Sequence, residues 1–168
     1  MDIAKTKNAT IKEDELRHVA GAFPTGVTIV TTEYTNGDVH GMTASSFLSV
    51  SLDPPLVSFC IKEDALLFPL LKIGKVVGIS ILSDAQQHVS EQFAGFNKDD
   101  IKIPMTKTNT GASVIVDALA YYATEIHDIV KTGDHYLVLF EVRELKRATT
   151  GNPLVYWSGY RTTGDTLK

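Results

Sequence analysis

The sequence carries one cysteine in 168 residues, Cys60, so no internal disulfide can staple the chain. Cys60 falls in the apolar run Leu56-Val57-Ser58-Phe59-Cys60-Ile61 and reads there as a small hydrophobe of the core. No Cys-x-x-Cys pair occurs, and the five histidines (positions 18, 40, 88, 127 and 135) never fall at ligand spacing, so no metal site is expected. Charge is scarce as well. Only 21% of residues are charged, and 16 basic against 20 acidic side chains leave a net −4, which disfavours a nonspecific grip on nucleic acid. No stretch approaches the roughly 18 consecutive apolar residues of a membrane span. The polar N-terminus lacks the apolar core of a signal peptide. A cytoplasmic chain without membrane or nucleic-acid partners is the expectation, which makes the Asn8-Ala9-Thr10 sequon a chance match. The length also leaves no room for a dinucleotide-binding domain plus a separate substrate domain.

What is present is a core and a strand-rich pattern. Apolar residues make up 43% of the chain, which excludes disorder. Residues 1–9 read as a flexible tail. Thr10 and Glu13 have capping-box spacing, and Leu16, Val19, Ala20 and Phe23 form one apolar helical stripe that Gly21 and Pro24 bring to an end. The β-branched run Val27 to Thr32 suits a pleated strand. Asn36-Gly37 then predicts a hairpin into a second strand from about Val39. Further strands are expected at Ser49 to Leu52, Leu56 to Ile61 (buried on both faces), Val76 to Leu82, within Val114 to Ile129, at His135 to Arg143 and at Leu154 to Trp157. A short crossover with Pro69 fills residues 64–73, and Ser83 with Gln86 opens a helix that ends near Phe93. Residues 95–112 read as a polar loop, and Gly133-Asp134 as a turn. Six or seven strands in hairpin order predict one domain, 1–168, built as a mainly antiparallel β-barrel with two or three short flanking helices.

Catalytic signatures are absent. There is no Gly-x-Ser-x-Gly elbow, no Gly-x-Gly-x-x-Gly loop and no P-loop. A triad using Asp134 and His135 is disfavoured because neighbours along a strand point to opposite faces. Two segments remain. Gly41-Met42-Thr43-Ala44-Ser45-Ser46-Phe47-Leu48-Ser49 sets small hydroxyls beside a glycine between two strands, where they can line a planar polar ring or reach phosphate oxygens. Gly133-Asp134-His135 places an imidazole at a turn that enters a strand.

In order, these pieces resemble the short-chain flavin reductases, the FMN-binding split β-barrels that serve as reductase components of two-component monooxygenases. The carrying residues are Phe23-Pro24-Thr25-Gly26-Val27-Thr28, the Gly41 to Phe47 run, and Ser49-Val50-Ser51-Leu52-Asp53-Pro54-Pro55-Leu56-Val57. Ile81-Leu82-Ser83 with Gln86 or Gln87, Gln92-Phe93-Ala94-Gly95, Gly133-Asp134-His135 and Pro153-Leu154-Val155-Tyr156 follow in sequence. The match spans about residues 16 to 161.

The resemblance implies an NAD(P)H-dependent flavin reductase that passes hydride from NADH or NADPH to FMN or FAD and supplies reduced flavin to a monooxygenase. An FMN-retaining electron-transfer protein on the same barrel is the alternative. It implies Pro24, Thr25, Thr43, Ala44, Ser45 and Ser46 at the flavin, with Ser49 towards its phosphate. Cys60, Ile61 and Lys62 would line the same groove, and Ser83 and Phe93 would approach from the next strand and helix. Gly133, Asp134 and His135 would meet the nicotinamide nucleotide, with Tyr160 as a neighbour. A homodimer with flavin near the subunit interface is implied too. Direct hydride transfer requires no acid/base residue, consistent with the missing catalytic dyad. Three departures stand out: Ser113 where a proline is usual, Tyr122-Ala123 where smaller residues are usual, and two acids, Glu63 and Asp64, beside Lys62 near the expected phosphate.

Overall fold

The computed structural model describes residues 11–96 and 101–161. The expected tail at residues 1–9 and the cap at Thr10 lie outside the described residues. Helix α1 (Glu13–Ala20) has acids in its first turn and Arg17 and His18 in its last, complementing the backbone dipole. Its apolar stripe does not reach the core: Leu16, Val19 and Phe23 are 62%, 70% and 75% exposed. Strands β1 (Thr25–Gly26), β2 (Thr28–Glu33), β3 (Val39–Ala44), β4 (Leu48–Leu52), β5 (Pro55–Lys62) and β6 (Val76–Ile81) follow, with a 3₁₀ turn at Phe68–Leu70 before β6. A second 3₁₀ turn, Asp84–Gln86, leads into α2 (Gln87–Phe93). The chain then forms β7 (Met105–Lys107), β8 (Ser113–Ile115), β9 (Ala120–Thr132), β10 (His135–Arg147), β11 (Val155–Tyr156) and β12 (Tyr160–Arg161).

Seven strands make one antiparallel sheet in the order β3-β2-β6-β9-β10-β5-β4. Ala44 on β3 and Phe59 on β5, near opposite edges, share one buried cluster with Val30, Ile79, Ile126 and Phe140. The sheet therefore curls around a common core, and its two edges, β3 and β4, remain unpaired with each other. Residues 45–47 span that split. Burial explains the continuous apolar reading of β5, where Val57, Ser58 and Phe59 are successive buried residues. A second cluster of Val27, Ile29, Leu82, Val89 and Ile115 seats α2 on the outside of the sheet.

The expected main strands are found, and several elements differ. The stretch read as a loop, 95–112, contains β7, which pairs with β8. Strand β9 runs on to Thr132 and β10 to Arg147, so they form a long hairpin closed by Gly133-Asp134. The short β12 pairs with β11, which in turn pairs with β1.

Two of the three sequence departures, Ser113 and Tyr122, have structural partners. Ser113 Oγ donates to Glu33 Oε1 at 3.0 Å, and Lys107 Nζ stands 3.0 Å from the same carboxylate oxygen. Tyr122 packs its ring on Phe47 in the split loop, 5.5 Å between centroids. Burial pulls the Glu33 carboxyl up, but bonds from Lys107 and Ser113 and the charges of Lys107 and Lys75 outweigh it and hold the group below its ordinary value. A depressed carboxylate stabilises the fold above its unfolded pKa and loses that contribution as pH falls through the folded one. Glu33→Gln is therefore expected to lower the melting temperature more at neutral pH than at pH 3. Melting curves at both pH values check this, and an equal loss at both contradicts it.

Candidate active site

The split between β3 and β4 gathers most of the expected residues. At its centre Ser46 Oγ accepts from the Cys60 N–H at 2.9 Å and lies 3.2 Å from the Cys60 carbonyl. The Ser46 hydroxyl thus ties the split loop to β5 and is engaged by protein. Cys60 is half-buried instead of enclosed in the core. Ala44 and Ile61 point inward, 6% and 1% exposed, and present only backbone to the split. Ser45 stays exposed on the loop, and Ser49 is exposed on β4 just before a register shift against β5.

Beyond Cys60 the pairing of β5 with β10 brings Lys62 opposite His135. Asp134 Oδ1 lies 2.8 Å from His135 Nδ1. That contact corrects the opposite-faces expectation: Asp134 belongs to the turn, and β10 begins only at His135, so strand alternation does not separate them. The His135 bond, then the charges of His135 and Lys62, hold the Asp134 carboxyl below the usual carboxylate range. The acids that threatened a phosphate site are partly answered. Glu63 is met by Lys131 Nζ at 3.5 Å and by the Tyr136 hydroxyl at 3.3 Å.

On the other side of the split lies a recess of about 220 Å³ lined by Val27, Thr43, Ser45, Ser90, Tyr156 and Tyr160, among others. Thr43 Oγ1 donates to the Ser90 carbonyl at 2.7 Å, and Ser90 Oγ is 2.9 Å from the Tyr160 hydroxyl. Tyr160, expected beside His135, is instead a wall of the recess with Thr43 and Ser45. Pro24 and Thr25 line a different cavity of about 440 Å³ with Trp157 and Val155, which shares no lining residue with the recess. Phe93 sits against Gly41, where an added Cβ would come within 2.8 Å of its ring. It faces a separate cavity of about 600 Å³, with Met42 and Ile103. Ser83 is paired with Pro153 in an isolated bridge, and its N–H donates to Gln86 Oε1 at 3.1 Å. Neither Phe93 nor Ser83 lines the recess.

Comparison with known proteins decides the family. The profile described as flavin reductase like domain matches residues 20–164. The chain is a member of that family. The solved structure of flavin reductase PheA2 in its native state superposes with a TM-score of 0.85 at 38% identity, over 90% of this chain and 98% of that one. The Streptomyces globisporus NADH:FAD oxidoreductase SgcE6, solved in complex with NAD and FAD fragments, superposes at 0.81 with 34% identity, over 89% and 92% of the two chains. The reductase component of 4-hydroxyphenylacetate 3-monooxygenase from Thermus thermophilus is 34% identical over 89% of this chain and 95% of its own length.

Within this flavin reductase barrel, sequence reasoning missed Ser90 and Tyr156. Ser90 reads as an ordinary residue of its helix and Tyr156 only as the end of the Pro153–Tyr156 motif; the placement of α2 and β11 is what brings both to one recess with Thr43. Among the described residues no group of three or more His, Cys, Asp or Glu side chains could hold a metal ion.

Proposed function

We propose that this protein is an NAD(P)H:flavin oxidoreductase that takes hydride from NADH and delivers it to FMN or FAD bound along the split between β3 and β4. The observation that carries this is the juxtaposition, across the Ser45–Ser46 loop, of a recess walled by hydroxyls and aromatic rings with the Lys62–His135 pair. Flavin requires that mixture: a flat apolar face for the ring, hydroxyls and backbone groups for its polar edge, and a cation for phosphate. At about 220 Å³ the recess falls below the roughly 300 Å³ at which ligand pockets begin, so the ring system would extend along the split towards Cys60.

The flavin supplies the redox chemistry when bound, accepting hydride directly from the nicotinamide. The chain's task is orientation, since the reacting atoms must approach to about 3–3.5 Å. Thr43, fixed by its bond to Ser90, and Ser45 would hold the flavin's polar edge, while Tyr160 and Tyr156 bound the other wall. His135, with Nδ1 engaged by Asp134, presents its Nε2 edge and ring face to the nicotinamide nucleotide. Lys62 stands opposite to meet phosphate. Gly133 at φ 65° closes the turn that positions both Asp134 and His135. No proton need be moved by a side chain.

A homodimer and a monooxygenase partner complete the proposal. The exposed stripe of α1 supports the homodimer, because an eight-residue helix with no buried side chain needs a covering surface to persist. That stripe adjoins the apolar cavity at Pro24 and Trp157. The likeness to a monooxygenase reductase component supports a flavin-accepting oxygenase. Among the described residues no helix is long and apolar enough to cross a membrane. The free thiol of Cys60 agrees with the reducing cytoplasm. We read residues 1–168 as one flavin reductase-like domain.

The test is NADH and NADPH oxidation by purified protein with FMN or FAD added; no turnover above background would refute the assignment. Within it, Ser45→Trp is expected to weaken flavin binding about tenfold or more by filling the loop side of the recess, with little change in melting temperature because Ser45 is exposed. A fluorescence titration of FMN and FAD checks this, and unchanged affinity would place flavin elsewhere.

A further inference from the structure

We infer that Ser90 is a positioning residue for flavin, acting through Tyr160 and Thr43 without touching the ligand's reacting atoms. This rests on the flavin site proposed above.

Ser90 is fully buried, 0% exposed, in the middle of α2. A buried hydroxyl needs a partner. A helical serine commonly finds one in the carbonyl four residues back, but the structure gives Ser90 Oγ the Tyr160 hydroxyl at 2.9 Å, across 70 residues of sequence. Its carbonyl accepts twice, from the Ala94 N–H at 2.9 Å within the helix end and from Thr43 Oγ1 at 2.7 Å. One residue on α2 therefore fixes both walls of the recess, Thr43 on β3 and Tyr160 on β12.

The wall it holds packs Tyr160 against the Val27–Leu82 cluster, but its backbone ties are short. Strand β12, Tyr160–Arg161, pairs among the described residues only with β11, itself two residues long. The turn between them passes through Ser158 at φ 51° and Gly159 at φ 113°, conformations a short ribbon holds poorly unless its ends are anchored. Tyr156 packs edge-on to Tyr160, centroids 5.5 Å apart at 80°, so the ring that Ser90 holds also sets its neighbour. Without that hydrogen bond the aromatic wall is free to swing while Thr43 keeps its backbone acceptor.

The experiment compares Ser90→Ala, Tyr160→Phe and the double variant by FMN and FAD titration, with visible circular dichroism of the bound flavin. Each single change is expected to raise the flavin Kd about three- to tenfold, the range set by loss of one hydrogen bond to a buried group. Because both remove the same bond, the double variant should bind no worse than the weaker single one. The dichroism of the bound flavin should change while KM for NADH moves less than twofold. Tyr160→Phe keeps the ring at a partly exposed position and so guards against a folding failure of Ser90→Ala. Unchanged affinity in Tyr160→Phe, fully additive losses, or equal losses in flavin Kd and NADH KM would each overturn the role of Ser90. A parent protein that binds neither flavin would overturn the functional reading itself.

Discussion

Replacing His135 with alanine is expected to raise KM for NADH about tenfold or more while flavin affinity changes less than twofold. The imidazole lies at the end of the split, opposite Lys62 and apart from the Thr43–Tyr160 recess. In the proposed site its removal takes away a nucleotide contact and leaves the flavin walls intact. Hydrogen bonds to charged groups contribute about 1.5–3 kcal/mol, and each 1.4 kcal/mol is a factor of about ten. Asp134→Asn should have a smaller effect of the same kind. Asp134 is 82% exposed, so solvent screens its pair with His135, and its contribution is the orientation of the ring. Steady-state KM for NADH beside a flavin titration separates the outcomes. Equal losses in both would place His135 at the flavin.

The largest expected effect on stability lies far from the split. Gly78 on β6 faces β8, and a Cβ built there would overlap the Ser113 carbonyl and reach within 2.7 Å of Thr31 Oγ1. Thr31 donates to that same carbonyl and to that of Gly78, so no flexible side chain can yield. Gly78→Ala must push β8 away from β2 and β6. Overpacking alone costs about 1–3 kcal/mol, and losing the Thr31–Ser113 hydrogen bond adds about 0.5–1.5 more. A drop in melting temperature of about 3–18 °C is expected, from the roughly 2–4 °C per kcal/mol of a domain this size. Thermal denaturation followed by circular dichroism measures it. A shift within about 2 °C would mean that the β8 approach is looser than the geometry states.

Much of this was legible in the sequence because the signals are local. The Asn36-Gly37 turn, the β-branched run of β2 and the Ser83–Gln86 helix start each depend on residues within a few positions. The hydroxyl-rich β3–β4 loop and the Gly133-Asp134-His135 turn could be singled out in the same way. What could not be read depends on distant partners. Ser90 looks like one more polar residue of α2 until Tyr160 arrives 70 positions later. Ser113 looks like a lost proline until Glu33 and Lys107 meet it. Phe93 carries the right motif, yet its ring is drawn over Gly41 because that strand position lacks a side chain. Ala44 and Ile61 belong to the expected segments and nevertheless turn into the core, since alternate residues of a strand face opposite sides. Motif order picked out the candidate site; packing decided which of its atoms are free.

The central claim is direct hydride transfer between two ligands held along one split. Its most direct test is anaerobic single-turnover mixing of flavin-loaded protein with NADH, unlabelled and deuterated at the transferred C4 hydrogen. Loss of the flavin's visible absorption, slowed several-fold by deuterium, is the predicted result. Flavin that stays oxidised while NADH binds would contradict it and favour a flavin-retaining electron-transfer protein.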